Sequence, residues 1–219
     1  MTRIKICGIT NIEDALTCVK YGADALGFVF AKSPRQISPE NAKAIIKKLP
    51  PFISTVGVFV NLSLEKINEI KTFCNLDVIQ LHGDEIIETQ NINKSQYKKN
   101  VEDNNIYIPV SSFPKIIKAV SVRKTEVLNI DIPDSVTLLL DTYSPDARGG
   151  TGKTFNWDIA CEISKKRPLI LAGGLNPDNI KNAVKTVNPY GVDVSSGVEK
   201  APGIKDHDKL YKLINEVKY

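Results

Sequence analysis

Histidine is scarce in this chain: His82 and His207 are the only two among 219 residues. Two histidines so far apart make a metal site a poor expectation. The four cysteines, Cys7, Cys18, Cys74 and Cys161, lack both the close spacing of a metal cluster and the pairing of a disulfide framework. Free thiols in a reducing cytoplasm are the simplest reading. No apolar run approaches the roughly 20 residues that span a bilayer, and no signal-peptide pattern is seen, so no membrane partner is expected. Massed basic charge is missing too. The formal net charge is +4 and the lysines are scattered, which argues against nucleic acid and suits a small anionic ligand.

What is present points to one α/β domain over residues 1–219. The chain is 42% hydrophobic and 25% charged, enough apolar material for a sizeable core. Short apolar, β-branched runs recur at 4–7, 25–30, 55–60, 78–82, 115–120, 136–141, 169–172 and 192–195. Most are nearly continuous, which suits parallel strands buried on both faces. Amphipathic stretches lie between them, with helix punctuation. Thr10-Asn11-Ile12-Glu13 reads as a capping box closed by Gly22. Ser38-Pro39 and Asn176-Pro177 read as cap-plus-proline starts. Ser63 heads a helix with Leu64, Ile67, Ile70 and Phe73 on one face, and Leu210, Leu213, Ile214 and Val217 mark a last helix. Eight strands alternating with helices are the count of a (β/α)8 TIM barrel. An open doubly wound sheet is the alternative. Residues 91–114, rich in Asn and Lys, fit neither pattern and read as a polar insert before strand five. A closed barrel has no sheet edge that demands a partner, so monomer and homodimer stay open.

In such a barrel, residues at the carboxyl ends of strands line the active site. Cys7 ends the first strand, and Gly8 after it lets the chain turn and leave the thiol open. Asp141 ends the sixth, after Leu138-Leu139-Leu140. A partly buried carboxyl there suits an acid that works near neutrality. Gly173 and Gly174 follow strand seven, and Ser195 and Ser196 follow strand eight, where barrels often hold a phosphate on backbone N–H groups. Gly149 and Gly150, in Gly149-Gly150-Thr151-Gly152-Lys153, lack the first glycine of a nucleotide P-loop. They read as a lid over that phosphate. Arg35, after strand two, has the fork that clamps a carboxylate. His82 follows strand four and is the barrel-facing histidine, while His207 reads as solvated. Asp193, inside strand eight, needs a basic or hydroxyl partner.

These motifs together resemble the phosphoribosylanthranilate isomerase family of tryptophan biosynthesis. The resemblance is carried by Lys5-Ile6-Cys7-Gly8-Ile9-Thr10, Val56-Gly57-Val58-Phe59-Val60-Asn61, Gln80-Leu81-His82-Gly83, Ala172-Gly173-Gly174-Leu175-Asn176-Pro177 and Asp193-Val194-Ser195-Ser196-Gly197. It implies a cofactor-free and metal-free Amadori rearrangement of a phosphoribosyl substrate, by an aldose–ketose isomerase. It implies Asp141 as general acid and Cys7 as general base. It places Arg35 on a substrate carboxylate, Asp193 on sugar hydroxyls, His82 among the substrate-binding residues and the late glycine and serine loops on the phosphate. A thiolate with a pKa near 7 would suit that base, with Cys7 setting the acid limb of a bell-shaped pH profile and Asp141 the other. The related isomerase of histidine biosynthesis has aspartate where Cys7 stands. A pentose-phosphate epimerase would want more histidines, and a non-enzymatic thiol-bearing barrel would show no turnover.

Overall fold

The structure, a computed structural model, describes residues 1–88, 106–122, 132–142 and 157–219. Eight parallel strands close into a barrel: β1 (Arg3–Cys7), β2 (Ala25–Val29), β3 (Ser54–Phe59), β4 (Val78–Leu81), β7 (Ile116–Val122), β8 (Thr137–Thr142), β9 (Leu169–Leu171) and β10 (Gly191–Val194). Around the ring the order is β1-β10-β9-β8-β7-β4-β3-β2, so the first and last barrel strands meet. Closure rules out the open doubly wound sheet, and these are the eight apolar runs of the sequence.

Each strand is sandwiched between two apolar environments. Ile4 and Ile6 of β1 face the helix layer, in one large buried cluster. Inside the barrel, Val56, Ile117, Ala119, Leu139, Ile170 and Ala172 form a second, smaller plug. Each fully buried large aliphatic side chain contributes roughly 1.5–3 kcal/mol, so these two layers supply much of the drive that closes the barrel. The polar groups near the barrel axis call for their own explanation.

The helices begin where side chains can cap them. In α1 (Ile12–Tyr21) the cap is Asn11, which accepts from the Asp14 N–H while its own amide donates to Asp14 at 2.7 Å. The expected Thr10/Glu13 box is thus shifted by one residue. Thr10 instead donates its hydroxyl to the Gly203 carbonyl. Gly22 closes the helix at φ 108°. Ser38 and Ser63 cap α2 (Pro39–Ile46) and α3 (Leu64–Cys74) as expected. Phe73 is not on the buried face of α3. Cys74 takes that inward position, four residues on from Ile70, and Phe73 lies exposed with the Lys43 ammonium over its ring.

The later helices are α4 (Asp158–Ser164), α5 (Ile180–Val187) and α6 (His207–Lys218). Asn176 does accept N–H groups from Asp178 and Asn179, but it caps a turn, and α5 starts only at Ile180. His207 is not simply solvated: its Nε2 lies 2.9 Å from Asp14 Oδ1.

Two short accessories were not visible in the sequence. β5 (Ile86–Glu88) pairs with β6 (Tyr107–Pro109), and β11 (Glu199–Ala201) pairs with β12 (Ile204–Lys205). The described end of the 91–114 insert is a strand followed by a 3-10 turn at Val110–Ser112. The rest of that insert lies outside the described residues.

Candidate active site

The eight strands open onto a cavity of about 760 Å³ at their carboxyl ends. Cys7, Arg35, His82, Asp141, Gly173, Gly174, Asp193, Ser195 and Ser196 all line it. Gly149 and Gly150 lie outside the described residues. The barrel register explains the meeting of such distant positions. Cys7 ends β1 and is level with Gly27 of β2. Asp193 is level with Lys5 in the β1–β10 pairing.

Around Cys7 the space is tight. A Cβ on Gly27 would stand 2.8 Å from its Sγ, so a glycine is required where the thiol crosses β2. Gly8 turns the chain at φ 78°, and a side chain there would collide with Arg35. Burial pushes the Cys7 thiol up, and Asp193 adds to that, while the Lys5 and Lys205 ammoniums pull it down. The net direction is upward, which corrects the expected thiolate near neutrality. Cys18, by contrast, is sealed in the core with its thiol pushed up to about 12.

Across the cavity stands Asp141, 5% exposed, with His82 Nε2 3.4 Å from its Oδ2. Gln80 Nε2 lies 3.1 Å from His82 Nδ1. With the amide donating there, the neutral ring carries its proton on Nε2, facing Asp141. The turn that carries His82 is pinned from below by an ion pair. Lys118 donates to Glu85 at 3.0 Å and to the Gly83 carbonyl at 2.8 Å. Glu85 in turn accepts the N–H groups of Gly83 and Asn61.

Arg35 reaches the cavity from the loop after β2, but its fork is already engaged. Nε and Nη2 bind both oxygens of Glu199, the shortest contact being 2.7 Å. Glu199 holds the guanidinium above its usual value. Burial works against the Glu199 carboxylate, yet Arg35 and Lys205 together hold it below its ordinary range. Lys205 is fully buried and spends its three N–H bonds on Glu199, the Cys7 carbonyl and the Ser195 carbonyl. Two cations share one carboxylate, so this corner keeps a net positive charge that suits an anionic ligand group.

The two phosphate candidates converge. Gly173 and Gly174 sit at φ 84° and 66°, a region that side chains rarely adopt. A Cβ on Gly197 would overlap the Leu175 carbonyl, so the loop after β10 lies directly on the loop after β9. Phe30 lines the mouth with its ring, backed by the fully buried Phe59 stacked beneath it at 5.3 Å.

Sequence reading missed Lys5, Glu199, Lys205, Gln80 and the Lys118–Glu85 pair. Charged residues inside apolar runs were the available signal for Lys5 and Lys118. Glu199 and Lys205 had none, since their partners are distant in sequence.

Known proteins match this chain end to end. The family model described as N-(5′-phosphoribosyl)anthranilate isomerase matches residues 4–216. A relative from Geobacter sulfurreducens, named N-(5′-phosphoribosyl)anthranilate isomerase, is 50% identical over 220 residues, covering 100% of this chain and 99% of its own. The crystal structure of phosphoribosyl anthranilate isomerase from Thermotoga maritima superposes with a TM-score of 0.79 at 44% identity, covering 100% of this chain and 99% of that one. Another structure of that isomerase, in complex with reduced 1-(o-carboxyphenylamino)-1-deoxyribulose 5-phosphate, gives a TM-score of 0.75 at 38% identity, with 100% and 99% covered.

Proposed function

The chain belongs to the N-(5′-phosphoribosyl)anthranilate isomerase family of tryptophan biosynthesis, and from that premise we propose how its own residues run the reaction. The substrate is N-(5′-phosphoribosyl)anthranilate and the product 1-(2-carboxyphenylamino)-1-deoxyribulose 5-phosphate. The observation that carries the proposal is the meeting of Cys7, from the end of β1, and Asp141, from the end of β8, in one cavity. An acid and a base facing one small space suit a reaction made of proton transfers.

Asp141 gives its proton to the ring oxygen of the ribose as the C1′–O bond breaks. The anthranilate nitrogen then carries a protonated imine, which makes the C2′ proton acidic. The Cys7 thiolate takes that proton, and the electron pair moves into the C1′–C2′ bond while the imine becomes an amine. The enolamine so formed moves its hydroxyl proton to C1′ and leaves a ketone at C2′. Electrons balance within the substrate, so no redox partner enters, and the proton on Cys7 leaves to solvent while Asp141 takes one back before the next turnover. Following the loss of anthranilate fluorescence on mixing the protein with N-(5′-phosphoribosyl)anthranilate tests the whole reading. Absence of turnover would overturn it.

The carboxylate of the substrate falls to Arg35, supported by the net positive charge of the Arg35–Glu199–Lys205 corner. Phe30, held by the buried Phe59, offers a surface for the aromatic ring. Arg35→Ala is expected to raise KM about ten- to a hundredfold, the worth of a hydrogen bond to a charged group, with a smaller effect on kcat. Steady-state kinetics would count against the clamp if kcat fell and KM did not move.

The phosphate falls to the backbone N–H groups near Gly173, Gly174, Ser195 and Ser196. Asp193 Oδ1 is buried without a hydrogen-bond partner among the described residues and lines the cavity, which supports a sugar hydroxyl there. Gly174→Val is expected to raise KM about tenfold or more with little change in kcat, and inorganic phosphate should compete with substrate. An unchanged KM would place the cradle elsewhere.

Among the described residues no helix is long and apolar enough to cross a membrane. The four cysteines are free, which supports work in the cytoplasm.

A further inference from the structure

Lys5 stands where the barrel has least use for a charge. Its neighbours Ile4 and Ile6 face the helix layer, and Lys5 itself is turned inward at 5% exposure. Its ammonium meets Asp193 Oδ2 at 2.9 Å. A buried ion pair is poor value for stability, because well-packed apolar residues often do as well or better in its place. Something other than packing has to explain it, and its position does. Lys5 and Cys7 are successive inward residues of one strand. A Cβ on Gly27 would meet Cys7 Sγ at 2.8 Å and Lys5 Cε at 3.1 Å, so the two side chains crowd the same point.

We infer that Lys5 is a positioning residue of this site, whose buried ammonium, aimed by Asp193, stabilises the Cys7 thiolate from the adjacent inward place on β1. This rests on the reading of Cys7 as the base. The other cations near the thiol, Arg35 from the loop after β2 and Lys205, are both tied to the Glu199 carboxylate. Lys205 sits on the backbone side, bound to the Cys7 carbonyl, and shares Glu199 with Arg35. Asp141 from β8 and His82 from the β4 turn line the far side of the cavity. Asp193 from β10 is the opposing charge: it holds Lys5 in place but disfavours a thiolate. Its second oxygen has no partner among the described residues. A sugar hydroxyl donated to that oxygen would spread the carboxylate charge and leave the ammonium freer for sulfur. Thiolate formation would then be tied to occupancy of the site, with the thiol proton leaving to solvent through the open mouth.

The test reads the thiol directly. Alkylation of Cys7 by iodoacetamide, quantified on the N-terminal peptide, gives its ionisation midpoint as a function of pH. In Lys5→Met the midpoint should rise by about one pH unit or more, as expected for losing a close opposite charge. Lys5→Arg should restore most of it. The limb of kcat/KM set by Cys7 should move with the midpoint. An unchanged midpoint in folded Lys5→Met overturns the inference. If that variant fails to fold because Asp193 is left unpaired, Lys5→Met/Asp193→Asn compared with Asp193→Asn alone gives the same reading. A fully active Cys7→Ser would sink the base assignment instead, and would do so whatever the alkylation midpoints show.

Discussion

Asp141→Asn should lower kcat by about 10²–10⁴-fold, the usual worth of a positioned general acid, and leave KM within a few-fold. Asparagine keeps the shape and can still hydrogen-bond, so substrate should dock much as before. What it cannot do is deliver a proton to the ring oxygen as the C1′–O bond breaks. Loss confined to the chemical step marks an interaction made only in the transition state. The surroundings of Asp141 make this a clean experiment. His82 lies 3.4 Å away and is steered by Gln80, while the turn beneath it is pinned by Lys118 and Glu85. The pocket wall should therefore hold its shape around an amide. A variant whose kcat stays within a few-fold of the parent would move the acid role to another group, with His82 the next to examine.

The architecture was legible because it rests on repetition. Strands buried on both faces leave continuous apolar runs, and all eight runs became barrel strands. Cys7 and Asp141 stood out for the same reason, each closing such a run at the end where a barrel places its chemistry. What escaped was pairing over distance. Lys5 and Asp193 are 188 residues apart, and Arg35 and Glu199 are 164 apart. No local pattern announces either contact. They exist because β1 and β10 close the barrel side by side and because a small hairpin after β10 folds back over the β1 and β2 loops. The shifted caps have a plainer cause. Thr10 had a better use for its hydroxyl on Gly203, which the sequence places 193 residues away, so Asn11 became the cap.

The thiol shows most clearly how environment decides chemistry. From residue type and place, Cys7 reads as a base tuned near neutrality. In the structure burial pushes it upward, and the pH dependence changes character with it. The active form needs Cys7 without its proton and Asp141 with one. Burial holds the thiol above its ordinary value, so the base form is scarce at neutrality. The kcat/KM profile, which reports the free enzyme, should then rise with pH through neutrality toward the midpoint of Cys7. That moves the limb set by Cys7 to higher pH than expected from the sequence. It also makes the rate at neutrality sensitive to the thiol: each unit by which the midpoint rises should lower kcat/KM there about tenfold. Cys7→Ser removes the base and should cut kcat by about 10²–10⁴-fold with KM within a few-fold. Its profile should lose the limb set by Cys7. A serine variant that kept both its rate and that limb would show that Cys7 is structural and that the C2′ proton goes to a different base.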